Sequence, residues 1–369
     1  RMMAGKKKIL HLIQSLNNGG CENMLLRTLP LLGDFEHTII TLKEPGELAP
    51  KFSTLDITII PAHCDGFTDI TGIFRLRRLI SEVKPDIILT YLFHADMLGR
   101  LALFGTTKAP IIPFLRTTYN DSRYWIARAA EWLTKPLVQR YLANSEAVKD
   151  FYVRKLGVSA NQITVIPNGI DTDFFDCLVP DPILRDSLGI NQSDLVIICV
   201  ANLHPNKGHR FMLEAFEALY PGHPDLKLLL VGDGEERDNI EAMIQSFQSK
   251  GSIRLLGRRS DVPALLKISH LFVLPTLFEG MSNAIMEAMA ASLPVITTDI
   301  PENRELIRAG ETGILVPQKD SRAIVEAIER LLSDPEKFET LGKNSKHNIR
   351  ERFGIKVVIS KLNQFFKSL

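Results

Sequence analysis

Short β-rich runs alternate with amphipathic helical stretches from residue 8 to residue 316, and this alternation constrains the fold more than anything else in the chain. The first series of runs is 8–13, 37–42, 56–60, 86–91, 111–115, 141–144 and 163–166. The second is 195–201, 227–231, 253–256, 270–274, 295–297 and 313–316. Strands separated by helix-length segments pair in parallel, because a parallel crossover needs a dozen or more residues. A turn-rich stretch with Asp181, Pro182 and Gly189 separates the two series. The expectation is an α/β chain of two Rossmann-like domains with parallel sheets and a ligand cleft between them at the strand ends. The divisions fall at 1–177 and 178–350, with a hinge near 170–190. A helical tail at 351–369 remains free to pack back on the first domain. The stretch 321–369 reads as two or three helices broken near Asp334-Pro335 and Gly354.

Composition supports two domains. The 369 residues are 45% hydrophobic and 24% charged, which excludes a disordered chain, a collagen-like fibre and a disulfide scaffold. Lys and Arg number 44 against 43 Asp and Glu, so a dedicated nucleic-acid binder has no support. Cut at residue 177, the first half carries +3 and the second −2. Cysteines 21, 64, 177 and 199 form no C-x-x-C pair and read as reduced thiols. No run of about 18 apolar residues is present, so a membrane-spanning helix is not expected. The expected location is cytoplasmic, with contact to the inner face of the cytoplasmic membrane left open.

The densest chemical signal is "FVLPTLFEGMSNAIMEAMAASLP" (272–294). A buried strand ends at Pro275, a loop carries Glu279, Gly280, Met281 and Ser282, and a helix follows. Free amides at a helix start make an anion site, and Gly280 lets backbone approach a ligand. Glu279 and Glu287 bracket that helix start and could reach one extended ligand. In "VANLHPNKGHRFMLEAF" (200–216), a strand-to-helix turn offers Asn202, His204, Lys207 and Gly208. Lys207 suits a phosphate there, although alone it reads equally as a solvated lysine. The spacing is too long for a Walker loop. In "SLNNGGCENML" (15–25), Gly19 and Gly20 stand between a strand and a helix, where they permit phosphate approach or simply make a turn. "LLVGDGEER" with Gly232 and Gly234, and "LLGRRSDVPALL" with Arg258 and Arg259, are further candidate edges of a cleft.

The order of "VIPNGIDTDFF", "KGH", "VGDGEER", "LGRRSDV", "FEGMSNAIMEAMA" and "LPVITTD" resembles that of the retaining, nucleotide-sugar-dependent glycosyltransferases of family 4, the group 1 transferases with the GT-B fold. The resemblance spans nearly the whole chain. It implies that Glu279 meets the donor sugar near its anomeric carbon, with backbone bonds from Gly280, Met281 and Ser282. It further implies that Glu287 holds the ribose, Lys207 the diphosphate, and Arg258 lies beside the base. Gly19 and Gly20 would cover the donor phosphates or the acceptor. Members often carry an arginine where this chain has Asn202, which places more of the diphosphate charge on Lys207. In "TYLFHAD" either His94 or Tyr91 stands at the reactive position, and His94 is preferred.

The implied reaction transfers a sugar from a nucleotide-diphosphate sugar, a UDP-sugar being favoured, to a hydroxyl of a glycan or lipid-linked glycan in bacterial cell-envelope polysaccharide or lipopolysaccharide synthesis. The donor is a co-substrate; no cofactor and no metal are expected. "DTD" at 171–173 follows "PNGI" and reads as a turn rather than a metal motif. Two stretches mix basic and apolar residues as membrane-surface segments do: 73–84, with Arg75, Arg77 and Arg78, and 114–135, with Arg116, Arg123, Arg128, Tyr124, Trp125 and Trp132. They read equally as solvated faces over core aromatics. The alternative functions are a non-catalytic nucleotide-sugar binding protein and a nucleotide-sugar 2-epimerase.

Overall fold

Every residue from Ile9 to Ile13 in the first strand is buried, as expected for a parallel strand covered on both faces. The computed structural model describes residues 6–17, 19–105, 109–117 and 125–369. It divides into two compact units, Arg1–Gly169 with Lys356–Leu369, and Ile170–Ile355.

The first unit holds β1 (Lys7–Ile13), β2 (Phe35–Thr41), β3 (Thr58–Pro61), β4 (Ile87–Tyr91), β5 (Ile111–Leu115), β6 (Tyr141–Ala143) and β7 (Ile163–Val165). All pair in parallel, in the order β3-β2-β1-β4-β5-β6-β7. The second holds β8 (Leu195–Val200), β9 (Leu226–Val231), β10 (Ile253–Leu255), β11 (Leu271–Leu274), β12 (Val295–Thr298) and β13 (Ile314–Val316). Its order, β10-β9-β8-β11-β12-β13, repeats the same winding. Both are Rossmann-like sheets of the expected α/β kind, and their runs were legible to within about two residues. β3 starts later than the sequence suggests because Asp56 turns left-handed at φ 58°.

Helix starts follow local chemistry. Asp69, Ser145, Asp181, Ser282, Asp320 and Asp334 each accept a backbone N–H from the first turn of the helix they precede. The tail forms three helices, Ser321–Leu332, Pro335–Phe353 and Ile355–Lys367. The last belongs to the first unit. Phe366 packs edge-on against Phe35, and Lys367 pairs with Asp34 at 2.6 Å.

These boundaries sharpen the charge distribution. Residues 1–169 with 356–369 carry 24 Lys and Arg against 15 Asp and Glu, a net +9. Residues 170–355 carry 20 against 28, a net −8. The near-neutral total conceals one basic and one acidic body. Among the described residues no helix is long and apolar enough to cross a membrane.

Candidate active site

In the second unit the winding reverses between β8 and β11. β9 and β10 extend to one side, β12 and β13 to the other. Such a switch point opens a crevice at the carboxyl ends of the two central strands. The loops leaving β8 and β11 are those that carry Lys207 and Glu279. Lys207 Nζ lies 2.6 Å from Glu279 Oε1, with both side chains mostly buried.

Gly208 makes this approach feasible. It sits at φ 70°, and a Cβ there would stand 2.0 Å from the Pro275 carbonyl oxygen. The Asn206 carbonyl accepts from Leu277 N (2.7 Å) and Thr276 Oγ1 (3.1 Å), binding the two loops together. Below them, Thr297 Oγ1 donates to the Leu274 carbonyl at 2.7 Å. Thr298 Oγ1 donates to that of Thr276. Ser282 caps the helix Asn283–Ala290, whose first-turn amides face outward by geometry. Met281 and Ser282 are buried, Gly280 is half-buried, and Glu287 lies with Asn283 and Ala284 on the helix's half-buried stripe.

The β9 loop runs against the β8 loop through Gly232 and Gly234. A Cβ on Gly232 would lie 1.9 Å from the Ala201 carbonyl oxygen, and one on Gly234 would lie 2.4 Å from that of Leu203. His204 Nε2 reaches Glu235 at 3.1 Å, while Asn202 is exposed. Arg258 is exposed, whereas Arg259 is held by Asp261 at 2.6 Å.

Several residues here escaped the sequence reading. Glu302 is buried; burial, then the neighbouring Glu305 and Glu279 charges, push its carboxyl above the usual range. His209, directly after the Lys207-Gly208 turn, is buried with neither ring nitrogen hydrogen-bonded. Burial and the Lys207 charge lower its pKa to about 4. Burial pushes the nearby Cys199 thiol up to about 12, which makes it a packing residue.

The first unit reverses between β1 and β4. Gly19 there is the extended N-cap of the helix Gly20–Thr28, and its carbonyl accepts from Asn23 Nδ2 at 2.9 Å. Glu22 folds over this start. A Cβ on Gly19 would meet Glu22 Oε2 at 2.4 Å, and burial raises the Glu22 pKa. Arg116, past β5, gives Nη2 to Asn168 Oδ1 at 2.9 Å and keeps Nη1 buried without a partner.

Beyond β4 the two alternatives at the reactive position differ in setting. The Tyr91 ring is buried, and its hydroxyl shares a 2.9 Å hydrogen bond with His11 Nδ1. His94 is exposed and stacks on Phe67 with centroids 5.9 Å apart. Leu92 between them takes φ 66°, a left-handed conformation that costs a branched residue about 1–2 kcal/mol. This strain turns the chain from β4 straight into the helix Leu92–Leu103.

The "DTD" segment is a helix cap. Asp171 accepts from Phe174 N at 3.1 Å, and Asp176 pairs with Lys346 and Arg350. Among the described residues no three His, Cys, Asp or Glu side chains converge to hold a metal ion. Arg123 and Tyr124 lie outside the described residues.

Comparison with known proteins matches these features to one family. The model for glycosyl transferases group 1 matches residues 181–348, and that for glycosyltransferase family 4 matches residues 19–174. The chain is 27% identical to the Escherichia coli UDP-Gal:alpha-D-GlcNAc-diphosphoundecaprenol alpha-1,3-galactosyltransferase, over 98% of this chain and 97% of that one. It is 25% identical to the Staphylococcus aureus capsular polysaccharide biosynthesis glycosyltransferase CapM, over 82% of each. Among solved structures, Anabaena HepE in complex with UDP-glucose superposes with a TM-score of 0.84 at 21% identity, covering 98% of this chain and all of that one. A Rickettsia africae glycosyltransferase gives 0.86 at 20% identity, covering 99% of each. These structures establish the GT-B fold. The two family models together cover both halves, and the chain belongs to the group 1, family 4 glycosyltransferases.

Proposed function

We propose that this glycosyltransferase moves a hexose from a UDP-sugar to a hydroxyl of a lipid-linked glycan, with retention of configuration, in bacterial cell-envelope polysaccharide synthesis. Residues 170–355 form the donor side and the first unit the acceptor side. The observation that carries this reading is the Lys207–Glu279 pair at the second unit's switch point. A cation for the diphosphate and a carboxylate for the sugar hydroxyls stand side by side, next to the helix start at Ser282. Gly280, Met281 and Ser282 bond the sugar and diphosphate through backbone, Glu287 takes the ribose hydroxyls, and Arg258 lies by the base. Gly232 forms the cleft edge, and Asn202 leaves Lys207 as the main cation of its loop.

The reaction breaks the bond between the anomeric carbon and a diphosphate oxygen. Negative charge gathers on the leaving diphosphate, where Lys207 and helix amides stabilise it, while the sugar gains oxocarbenium character beside Glu279. Retention needs attack on the leaving-group face, so the departing phosphate can take the acceptor proton without a protein base. Glu279 therefore positions and stabilises. In this reading His94 is the first unit's catalytic residue, and Gly19 and Gly20 are its phosphate- or acceptor-binding glycines. The lipid-linked acceptor follows the activity of the 27% identical Escherichia coli relative, and it would be met at the inner face of the cytoplasmic membrane.

A panel of nucleotide-sugars tests this reading. The true donor at 100 times its dissociation constant should stabilise the protein by about 2.7 kcal/mol. Release of UDP with a lipid-diphosphate-linked sugar acceptor, lost in Glu279→Ala, supports transfer. Tight donor binding with no turnover across the acceptor panel favours a sensor instead.

A further inference from the structure

Glu302 is a buried acid in the second unit, 7% exposed, on the helix Pro301–Leu306. That helix directly follows β12, which pairs in parallel with β11, Leu274 opposite Thr297. Glu302 and Glu279 therefore follow the carboxyl ends of adjacent strands. The turn is fastened in place. Asn303 Nδ2 donates to Thr297 Oγ1 and to the Thr298 carbonyl, both at 2.9 Å. Those threonines in turn hold the Leu274 and Thr276 carbonyls at the base of the Glu279 loop. The Glu302 carboxyl is left unsatisfied there. Among the described residues no side chain pairs with it, and the hydrogen bond it accepts comes from its own backbone N–H. Burial raises its pKa, and the neighbouring Glu305 and Glu279 charges raise it further. The basic residues beside it are engaged, Arg304 with Asp299 and Lys207 with Glu279, each at 2.6 Å. Asn303 Oδ1 is also buried with no donor. A buried polar group without a partner is rare in a native structure, and two in consecutive residues call for a ligand that supplies the missing hydrogen bonds.

We propose that Glu302 is a specificity-determining residue of the donor-sugar pocket: its carboxyl hydrogen-bonds the transferred sugar and excludes a sugar that is itself anionic. The inference rests on the reading of residues 170–355 as the donor side. With Lys207 on the diphosphate, Glu279 and Glu302 face the sugar as two carboxyls without a paired cation. A sugar hydroxyl or an acetamido group both donates and accepts hydrogen bonds, so it suits such a pair in either protonation state. The carboxylate of a uronic acid only accepts, and it brings a further negative charge into a space already crowded with acids. The substrate class is therefore a nucleotide-linked neutral hexose or N-acetylhexosamine, and uronic-acid donors are rejected.

Titration calorimetry of the full chain reads this without an acceptor. The ligands are UDP, UDP-glucose, UDP-galactose, UDP-N-acetylglucosamine, UDP-glucuronate and UDP-galacturonate. The parent should bind a neutral donor about tenfold or more tighter than either uronate. Glu302→Gln keeps the shape and removes the charge, so it should hold the neutral donor as the parent does and gain about tenfold for a uronate. In Glu302→Ala, UDP should bind as before, while the ratio of neutral-donor to UDP affinity falls about tenfold. Glu339→Gln, at an exposed carboxylate of the same unit, should leave every ratio alone, which separates local charge from net charge. A merely structural Glu302 would lower UDP and UDP-sugar binding together and would admit no uronate. The inference is overturned if the parent binds uronates as well as neutral donors, or if Glu302→Gln ranks the panel as the parent does. A parent that binds no UDP overturns the donor reading itself, and that result is read before any two sugars are compared.

Discussion

Lys207 and Glu279, 72 residues apart in sequence, form a 2.6 Å ion pair between the loops that leave adjacent strands β8 and β11. In the proposed donor complex the diphosphate would need the same lysine and the sugar the same carboxylate. Glu279→Gln should free Lys207, so UDP binds several-fold tighter while transfer falls at least about a hundredfold. Lys207→Ala should weaken UDP binding by roughly 10–100-fold, the worth of a charged hydrogen bond. Titration calorimetry with UDP, beside a transfer assay, reads both. UDP binding and activity unchanged in both variants would remove the pair from the mechanism.

Gly208 should tolerate no side chain. Alanine there meets the Pro275 carbonyl and a φ of 70° together. Gly208→Ala should cost more than about 2 kcal/mol and abolish donor binding, because relief requires the two site loops to separate. Thermal unfolding with and without UDP checks this.

Much of this was legible because it is local. Strand runs, the caps at Ser282 and Asp334, and the loops carrying Lys207 and Glu279 are each written in contiguous residues. What escaped depends on partners far apart in sequence. Arg116 meets Asn168 across 52 residues, and Arg100 meets Glu131 across 31. The sequence shows Trp125 and Trp132 beside basic residues, yet only the buried Arg100 decides that the tryptophans point outward. Glu302 gave no signal because an acidic residue after Ile300-Pro301 looks like any helix start. The charge asymmetry was hidden too. A cut at 177 counts Asp171, Asp173 and Asp176 with the first half and Lys356, Lys361 and Lys367 with the second.

Removing Arg100 should be costly. Its guanidinium is held charged because, against strong burial, the Asp96 and Glu131 carboxylates favour the cation. Arg100→Met would leave both carboxylates buried and uncompensated, at about 3–5 kcal/mol. Urea unfolding should show this loss, and the double variant with Glu131→Gln should recover part of it.

Acid should destabilise the protein through its buried histidines. His209 stays neutral when folded, with its pKa lowered from 6.5 to about 4 by burial and Lys207. The unfolded chain takes up this proton first as pH falls through 6.5, so stability drops between pH 6.5 and 4 and levels below that window. The shift corresponds to about 3 kcal/mol. Buried His11 and half-buried His37 and His270 are lowered in the same direction. His209→Leu should flatten the acid limb by roughly its own share without harming stability at neutral pH, since both ring nitrogens lack partners. Stability curves from pH 4 to 8 decide it.

The helix Ile355–Lys367 has a consequence for biogenesis. It buries Val358, Leu362, Phe365 and Phe366 in the body made by the first 169 residues. On a ribosome adding about 5–20 residues per second, residues 170–355 take roughly 10–40 s to emerge. Throughout that interval the amino-terminal body waits with the seat of this helix open to chaperones and to other nascent chains. The unit Ile170–Ile355, contiguous in sequence, can close first. The order of completion is therefore the reverse of the order of synthesis, and a truncation before Ile355 leaves the first-made half unfinished.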